Sequence, residues 1–424
     1  MSAARTRAGA ALTWLRRRPL GVLAILGPGL IAANAGNDAG GIATYASAGS
    51  AWVYRTLFIM TLVTVALVVV QEMSARLGAY TGEGLMSLIR EQFSLRLATF
   101  AVVCLVVANL GLVVSEFAGI GAALELFGVS RYLSVPLAAI GIWSLVAFGS
   151  YRYAERLFLV LSLAFLAYPL ALIFGHPDWS QVGVNIIWPH FSWSHDFLLV
   201  AVALVGTTIT PYMQLYQAAA VADRGIGPEQ YPAERVDAVG GAIFANLISM
   251  CIIIATAAAI GGHGVLSSAA SAAKALRPVA GSGAEALFAV GLLGASALAG
   301  AVVPLSTAYG IAEAVGAERS VSRRFSEAPL FLGLFSAQIL IGASIALVPG
   351  NLFRLLLNMQ ILNGIITPVI LGFILVLANR RSVLGSAVNS PRFRLVATIS
   401  VTVVAALALA VVLQTVLGWL GAVS

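Results

Sequence analysis

Residues 27–48 read GPGLIAANAGNDAGGIATYASA, an apolar run with one aspartate, Asp38, set among five glycines. A carboxylate inside a stretch long enough to cross a bilayer is costly to bury unless it meets a cation or a partner. The glycines weaken helix propensity on both sides of it, so the run reads as a helix interrupted near its middle. Secondary transporters build their ion sites from interrupted helices with an ionisable group at the bilayer midplane. Asp38 would also suit the cap of the second half-helix, and the two roles are compatible. A second run, VALVGTTITPYMQLYQAAAV, carries Pro211 and a group of threonines in mid-span. Proline removes a backbone donor and clashes with the preceding turn, so this helix should break between Thr207 and Pro211. A threonine-rich kink with no site attached is the plainer reading of that run taken alone.

Glu116 is the other carboxylate placed deep in an apolar run. It is read either as part of an ion path or as a hydrogen-bonded structural group near the breaks. Glu125, nine residues on, falls near the outer surface. Glu72 and Arg76 have the i,i+4 spacing of a structural ion pair. Glu285 and Glu313 fall toward the two ends of one span, and Asn109 and Asn246 read as interhelical hydrogen-bond partners. The four histidines, His176, His190, His195 and His263, fall in loops. The 176–196 loop holds three tryptophans and no Lys or Arg, which marks a headgroup interface; metal gathering by its histidines with Asp178 and Asp196 is the lesser alternative. Cys104 and Cys251 sit in apolar runs without CxxC spacing and read as core residues. No nucleophile–base pair, phosphate loop or metal-protease motif is present, so the chain is not expected to be an enzyme.

These groups must be positioned by membrane helices. The 424 residues are 60% hydrophobic and 10% charged, with a mean hydropathy of +0.96, against about a quarter charged in soluble domains. About 20 apolar residues make a span, which gives eleven: 21–47, 52–77, 98–127, 133–149, 156–175, 197–222, 236–260, 284–316, 327–348, 351–378 and 394–420. With the N-terminus inside, 19 of the 24 Lys and Arg fall on cytoplasmic segments, and the positive-inside rule then sets the orientation. The C-terminus is expected outside. The basic 1–20 segment resembles a signal-peptide n-region, but its apolar run continues as the first span. Breaks in spans one and six, five apart, point to an inverted five-plus-five repeat. The first repeat covers about 21–175, the second about 197–378, and 394–420 adds an extra helix to a single transmembrane domain, 21–424. The scattered net charge of +7 is no nucleic-acid signal.

The pattern resembles the NRAMP divalent-metal transporters. The GPG run followed by an aspartate at the break is similar to their first span. QEMSARLGAYTGEGL (71–85) is similar to their Q-x-x-A-x-R-x-G-x-x-T-G segment, and Ser115-Glu116-Phe117-Ala118-Gly119 to their A-E-x-x-G. Gln360 stands eight before Pro368, as a family glutamine does. The resemblance covers most of the chain and implies an all-α integral membrane protein of LeuT type with helices 1 and 6 broken. Several positions depart from the family. Asp38-Ala39-Gly40-Gly41 replaces DPGN, so the ligand asparagine position is Gly41. Thr207-Thr208-Ile209-Thr210-Pro211-Tyr212 replaces A-x-x-M-P-H, putting Thr210 at the thioether position and Tyr212 at the histidine. Val113 occupies the place of an acidic residue. These changes resemble the NRAMP-related magnesium transporter branch, which implies transport of Mg²⁺ and Mn²⁺ as partly hydrated ions without tight proton coupling.

Ligand chemistry agrees with that implication. Mg²⁺ is hard, keeps several waters and needs only one or two carboxylates. Asp38, the Thr207 and Thr210 hydroxyls, freed carbonyls and the Gln360 amide suit it, whereas softer ions gain from sulfur or imidazole. Met213, three residues after Thr210, could restore a soft ligand, or simply pack. The expected function is therefore Mg²⁺ import, with Mn²⁺ accepted, across a bacterial-type plasma membrane by alternating access. The candidate metal set is Asp38, Gly41, Thr207, Thr210 and Gln360, with Glu116, Tyr212 and Met213 as the possible ion path. The expected partners are the cation and the bilayer, with no cofactor, nucleic acid or obligatory protein. Two rivals remain: a proton-coupled Mn²⁺ or Fe²⁺ importer of the ordinary NRAMP kind, and a Na⁺-coupled small-solute symporter.

Overall fold

A computed structural model describes residues 37–148, 163–317 and 328–420. Every regular element among them is a helix. The first is α1 (Ala39–Trp52), followed by α2 (Leu57–Thr81), the short α3 (Leu85–Gln92), α4 (Leu95–Glu125) and α5 (Arg131–Ala147). Then come α6 (Ala167–Gly175), α7 (Trp179–Ile187), α8 (His195–Thr208), α9 (Pro211–Asp223) and α10 (Tyr231–Ile260). The last four long helices are α11 (Ala284–Val315), α12 (Pro329–Ala346), α13 (Leu352–Asn379) and α14 (Pro391–Trp419).

Eight of the described helical stretches are long and apolar enough to cross a bilayer. α1, α5 and α6 stand where the other three expected spans lie. The first part of span one, to residue 36, and the start of span five, 156–162, lie outside the described residues.

The break expected in span six is present, and the described half of span one starts where its break is expected. α1 starts at Ala39 with Asp38 as its cap in extended backbone. α8 ends at Thr208, and α9 begins on Pro211, where the missing N–H costs nothing and the fixed φ suits a first turn. Around the breaks, α1 packs on α8, α10 and α13, while α4 packs on α11 and α13. The interrupted segments therefore lie inside a cage of continuous helices.

The Glu72–Arg76 pair forms as its spacing predicts, at 3.0 Å with both side chains buried, and is the centre of a larger network. Tyr231 donates to Glu72, and Arg235 of α10 lies 3.5 Å from the same carboxylate. Arg76 also donates to the Ala387 carbonyl and to Asn389. Nearby, Arg90 donates to the Ala314 carbonyl and Arg380 to that of Gln92. Glu313 accepts from the Gly84 amide at 2.9 Å. At the other end Arg131 pairs with Glu125 and donates to the Gly350 carbonyl. Of the arginines in these contacts, Arg76, Arg90, Arg235 and Arg380 lie at one end of the bundle and Arg131 at the other.

The 176–196 segment, expected as a loop, holds a helix, α7. Asp178 caps it, accepting from Ser180 and Gln181.

Candidate functional site

Asp38 is 1% exposed. Its Oδ1 accepts from the Gly41 amide at 2.7 Å, the cap expected of an aspartate at a helix start. Its Oδ2 is buried with no hydrogen-bond partner. The cap therefore engages one oxygen and leaves the other without a protein partner, an arrangement compatible with both expected roles. Gly41 contributes this backbone donor to the site.

Glu116 reaches the same place from α4. Its Oε2 accepts from the Ala39 amide at 3.4 Å, and its Oε1 is buried and unsatisfied. Two carboxylates thus face the first turn of α1, whose free amides and dipole favour negative charge. A divalent cation between them would remove their mutual repulsion.

Gln360 of α13 is fully buried. Its Nε2 donates to Ser115 Oγ at 3.4 Å, while its Oε1 has no partner. The amide lies directly over Gly40, where a Cβ would overlap it. Gly119 makes the same allowance for Ala39 and Ser296. Small residues thus let α1, α4 and α13 close on one point.

The second break supplies hydroxyls. Thr207 and Thr210 are fully buried, and neither Oγ1 has a well-formed hydrogen bond. Tyr45 of α1 joins α8 through Thr208 at 3.0 Å. The C-terminal end of α8 carries partial negative charge from its free carbonyls, which favours a cation. Two of the carbonyls expected to be free are not: Asn363 donates to that of Gly206, and Thr367 donates to that of Ile209 at 3.2 Å. Tyr212 and Met213 are buried in the first turn of α9.

Sequence reasoning missed Ser115, Asn363 and Thr367, along with Asn37, whose Oδ1 accepts from Ser249 of α10 at 3.2 Å. A signal was available for two of them. Gln360, Asn363 and Thr367 recur at helical spacing and put a polar stripe on one face of an apolar span.

Among the described residues no three His, Cys, Asp or Glu side chains gather into a metal cluster. The arrangement instead offers two carboxylates and neutral oxygens. Such a donor set suits a hard cation that keeps part of its water.

A family model described as natural resistance-associated macrophage protein-like (Nramp) matches residues 29–414. The chain is 27% identical over 426 residues to the divalent metal cation transporter MntH of Verminephrobacter eiseniae, with 96% of this chain and 92% of that protein covered. A solved structure of the Eremococcus coleocola manganese transporter is 21% identical, with a TM-score of 0.77 over 94% of this chain and 88% of that one. MhsT in complex with L-phenylalanine is 15% identical, with a TM-score of 0.60 over 92% and 98%. These structural likenesses bear on the fold, and the LeuT-type architecture is the one found, with helix 6 broken between Thr208 and Pro211.

Proposed function

The chain belongs to the Nramp family, and from that premise we propose that it carries divalent metal cations across the plasma membrane by alternating access, with Mg²⁺ as its main cargo and Mn²⁺ accepted. The observation that carries this reading is the set of buried oxygens without partners at the paired breaks: Asp38 Oδ2, Glu116 Oε1 and Gln360 Oε1. An unsatisfied buried polar atom costs about 1–3 kcal/mol, and several together around one point are stabilised by a cation and its water. Thr210 adds a hydroxyl where the family pattern has a thioether, and glycine at position 41 leaves space for water. The ion is therefore held partly hydrated.

Tight proton coupling is not part of the proposal. Val113, at the position of the family's acidic residue, is buried and packed on Gly342 of α12. Tyr212 replaces the histidine. An inside-negative potential of 100 mV supplies about 4.6 kcal/mol for a divalent ion, at ~2.3 per charge. Import then proceeds without protons, with the end of the bundle that holds Arg76, Arg90, Arg235 and Arg380 in the cytoplasm.

A second reading has one observation in its favour. Glu116 beside Asp38 is a buried carboxyl that could take up a proton as the ion leaves, as a proton-coupled Mn²⁺ importer requires. Mg²⁺ influx into proteoliposomes under an inside-negative potential, with internal pH followed, separates the two. Mg²⁺ influx without acidification is expected. Acidification accompanying Mn²⁺, with no Mg²⁺ influx, would replace the proposal with the second reading. A Na⁺-coupled symporter for anionic solutes fits poorly, because two carboxylates would face the substrate.

Selectivity gives a further prediction. Thr210→Met is expected to move the Mn²⁺/Mg²⁺ rate ratio toward Mn²⁺ by about tenfold, or ~1.4 kcal/mol, because sulfur favours the softer ion. Competitive uptake of the two ions measures it. An unchanged ratio would assign selectivity to cavity size and hydration.

A further inference from the structure

A groove of about 440 Å³ runs along the outside of the bundle between α2, α8 and α14. Its walls are apolar, with Leu62 and Ala66 of α2 facing Ile399 and Val403 of α14. Its polar lining lies chiefly at one end, where Arg55 and His190 stand at the mouth.

Two features fix the depth of that mouth. Phe191, which also lines it, stacks edge-on with Trp193 and Phe197 at 4.9 and 5.6 Å, and Trp52 meets Phe197 at 5.0 Å. Trp188 and Trp193 are exposed beside it. Exposed tryptophans and a mixed aromatic cluster at the end of apolar helices belong at headgroup depth. Arg55 is therefore a cation at the headgroup level with a chain-sized apolar slot beneath it.

Arg55 is exposed and has no ion-pair partner among the described residues. Asp178, which lies beside neighbouring Tyr54, uses both its oxygens in the α7 cap. Arg55 is carried by a turn whose first residue, Val53, has φ +55°. A β-branched residue avoids that region unless its surroundings hold it there. The same turn closes α1, the helix whose other end carries Asp38.

We propose that this groove binds one anionic phospholipid, its phosphate on Arg55 with His190 beside it and an acyl chain between α2 and α14. Guanidinium recognises phosphate through paired N–H donors, which the neutral wall residues cannot do. The headgroup thereby contacts the turn joining α1 to α2. The inference does not depend on which ion is carried.

The test is native mass spectrometry of the purified full chain after exchange with vesicles of equal parts phosphatidylglycerol and phosphatidylcholine. One retained phosphatidylglycerol is expected, favoured over phosphatidylcholine by about fivefold, the scale of one arginine near an anionic headgroup. Arg55→Gln should reduce the ratio to about one, Arg55→Lys should keep part of it, and Ala66→Trp should fill the slot and lose both lipids. Equal retention of the two lipids by the native chain overturns the proposal without any variant. A preference that survives Arg55→Gln overturns it as well, as does a groove occupied only by detergent or by a second copy of the chain.

Discussion

Divalent-cation uptake by the Asp38→Asn variant is expected to fall at least ~100-fold while the protein stays folded. Asparagine caps a helix about as well as aspartate, so the bond from the Gly41 amide survives and α1 keeps its start. What disappears is the negative charge on Oδ2, the buried oxygen with no protein partner. Two unit charges 4 Å apart interact by about 4 kcal/mol at an effective dielectric of 20, and a divalent ion doubles that. A hundredfold loss corresponds to ~2.7 kcal/mol, well inside this range even with Glu116 still present. Uptake in proteoliposomes measures the effect, and thermal unfolding with and without Mg²⁺ measures folding and binding together. The native chain should gain stability from Mg²⁺ by mass action and the variant should not. Asp38→Ala would confuse the outcome, because it also removes a cap interaction of about 1 kcal/mol. Normal uptake by Asp38→Asn would remove the aspartate from the proposed site.

The break in span six and the start of α1 at Asp38 were legible in the sequence because their causes are local. A proline within a run of threonines, and an aspartate among glycines, disrupt a helix whatever surrounds them. The glutamate was legible as a buried charge but not in its placement. That Glu116 meets the Ala39 amide follows from how α4 crosses α1, and the crossing is set by Gly119 and Ala39 across 80 residues of chain. The expectation of free carbonyls at the second break was half right for a related reason. Proline does free them, but Asn363 and Thr367, more than 150 residues away, satisfy two. Local patterns reveal where backbone groups are released and say little about what takes them up. The Glu72 network illustrates this again: the i,i+4 pair could be read from spacing, whereas Tyr231, Arg235 and Asn389 join it only through the packing of α2, α10 and the segment before α14.

The satisfied carbonyls lead to the second large effect. α8 and α13 approach so closely that a Cβ on Gly206 would meet the backbone of Gln360 and Gly364, and a Cβ on Gly364 would meet the Val202 carbonyl. Backbone atoms cannot rotate aside as a side chain does. Gly364→Ala should therefore push the two helices apart and destabilise the protein by about 3 kcal/mol, the upper part of the usual overpacking range. The separation would also weaken the Asn363 and Thr367 bonds to the break and draw Gln360 away from Gly40. Uptake should then fall further than the lost stability explains, which uptake per folded molecule would measure. The same helix supplies the control. Gly372 of α13 has open space where its Cβ would be, and alanine in an unstrained helix is more stable than glycine by about 0.5–1 kcal/mol. Gly372→Ala should raise the thermal midpoint slightly and leave uptake intact. Opposite outcomes from one substitution at two positions of one helix would locate the effect in the α8–α13 contact. If Gly364→Ala behaves like Gly372→Ala, that contact does not set the second break, and the place of Gln360 over Gly40 must be maintained by α4 through Ser115 instead.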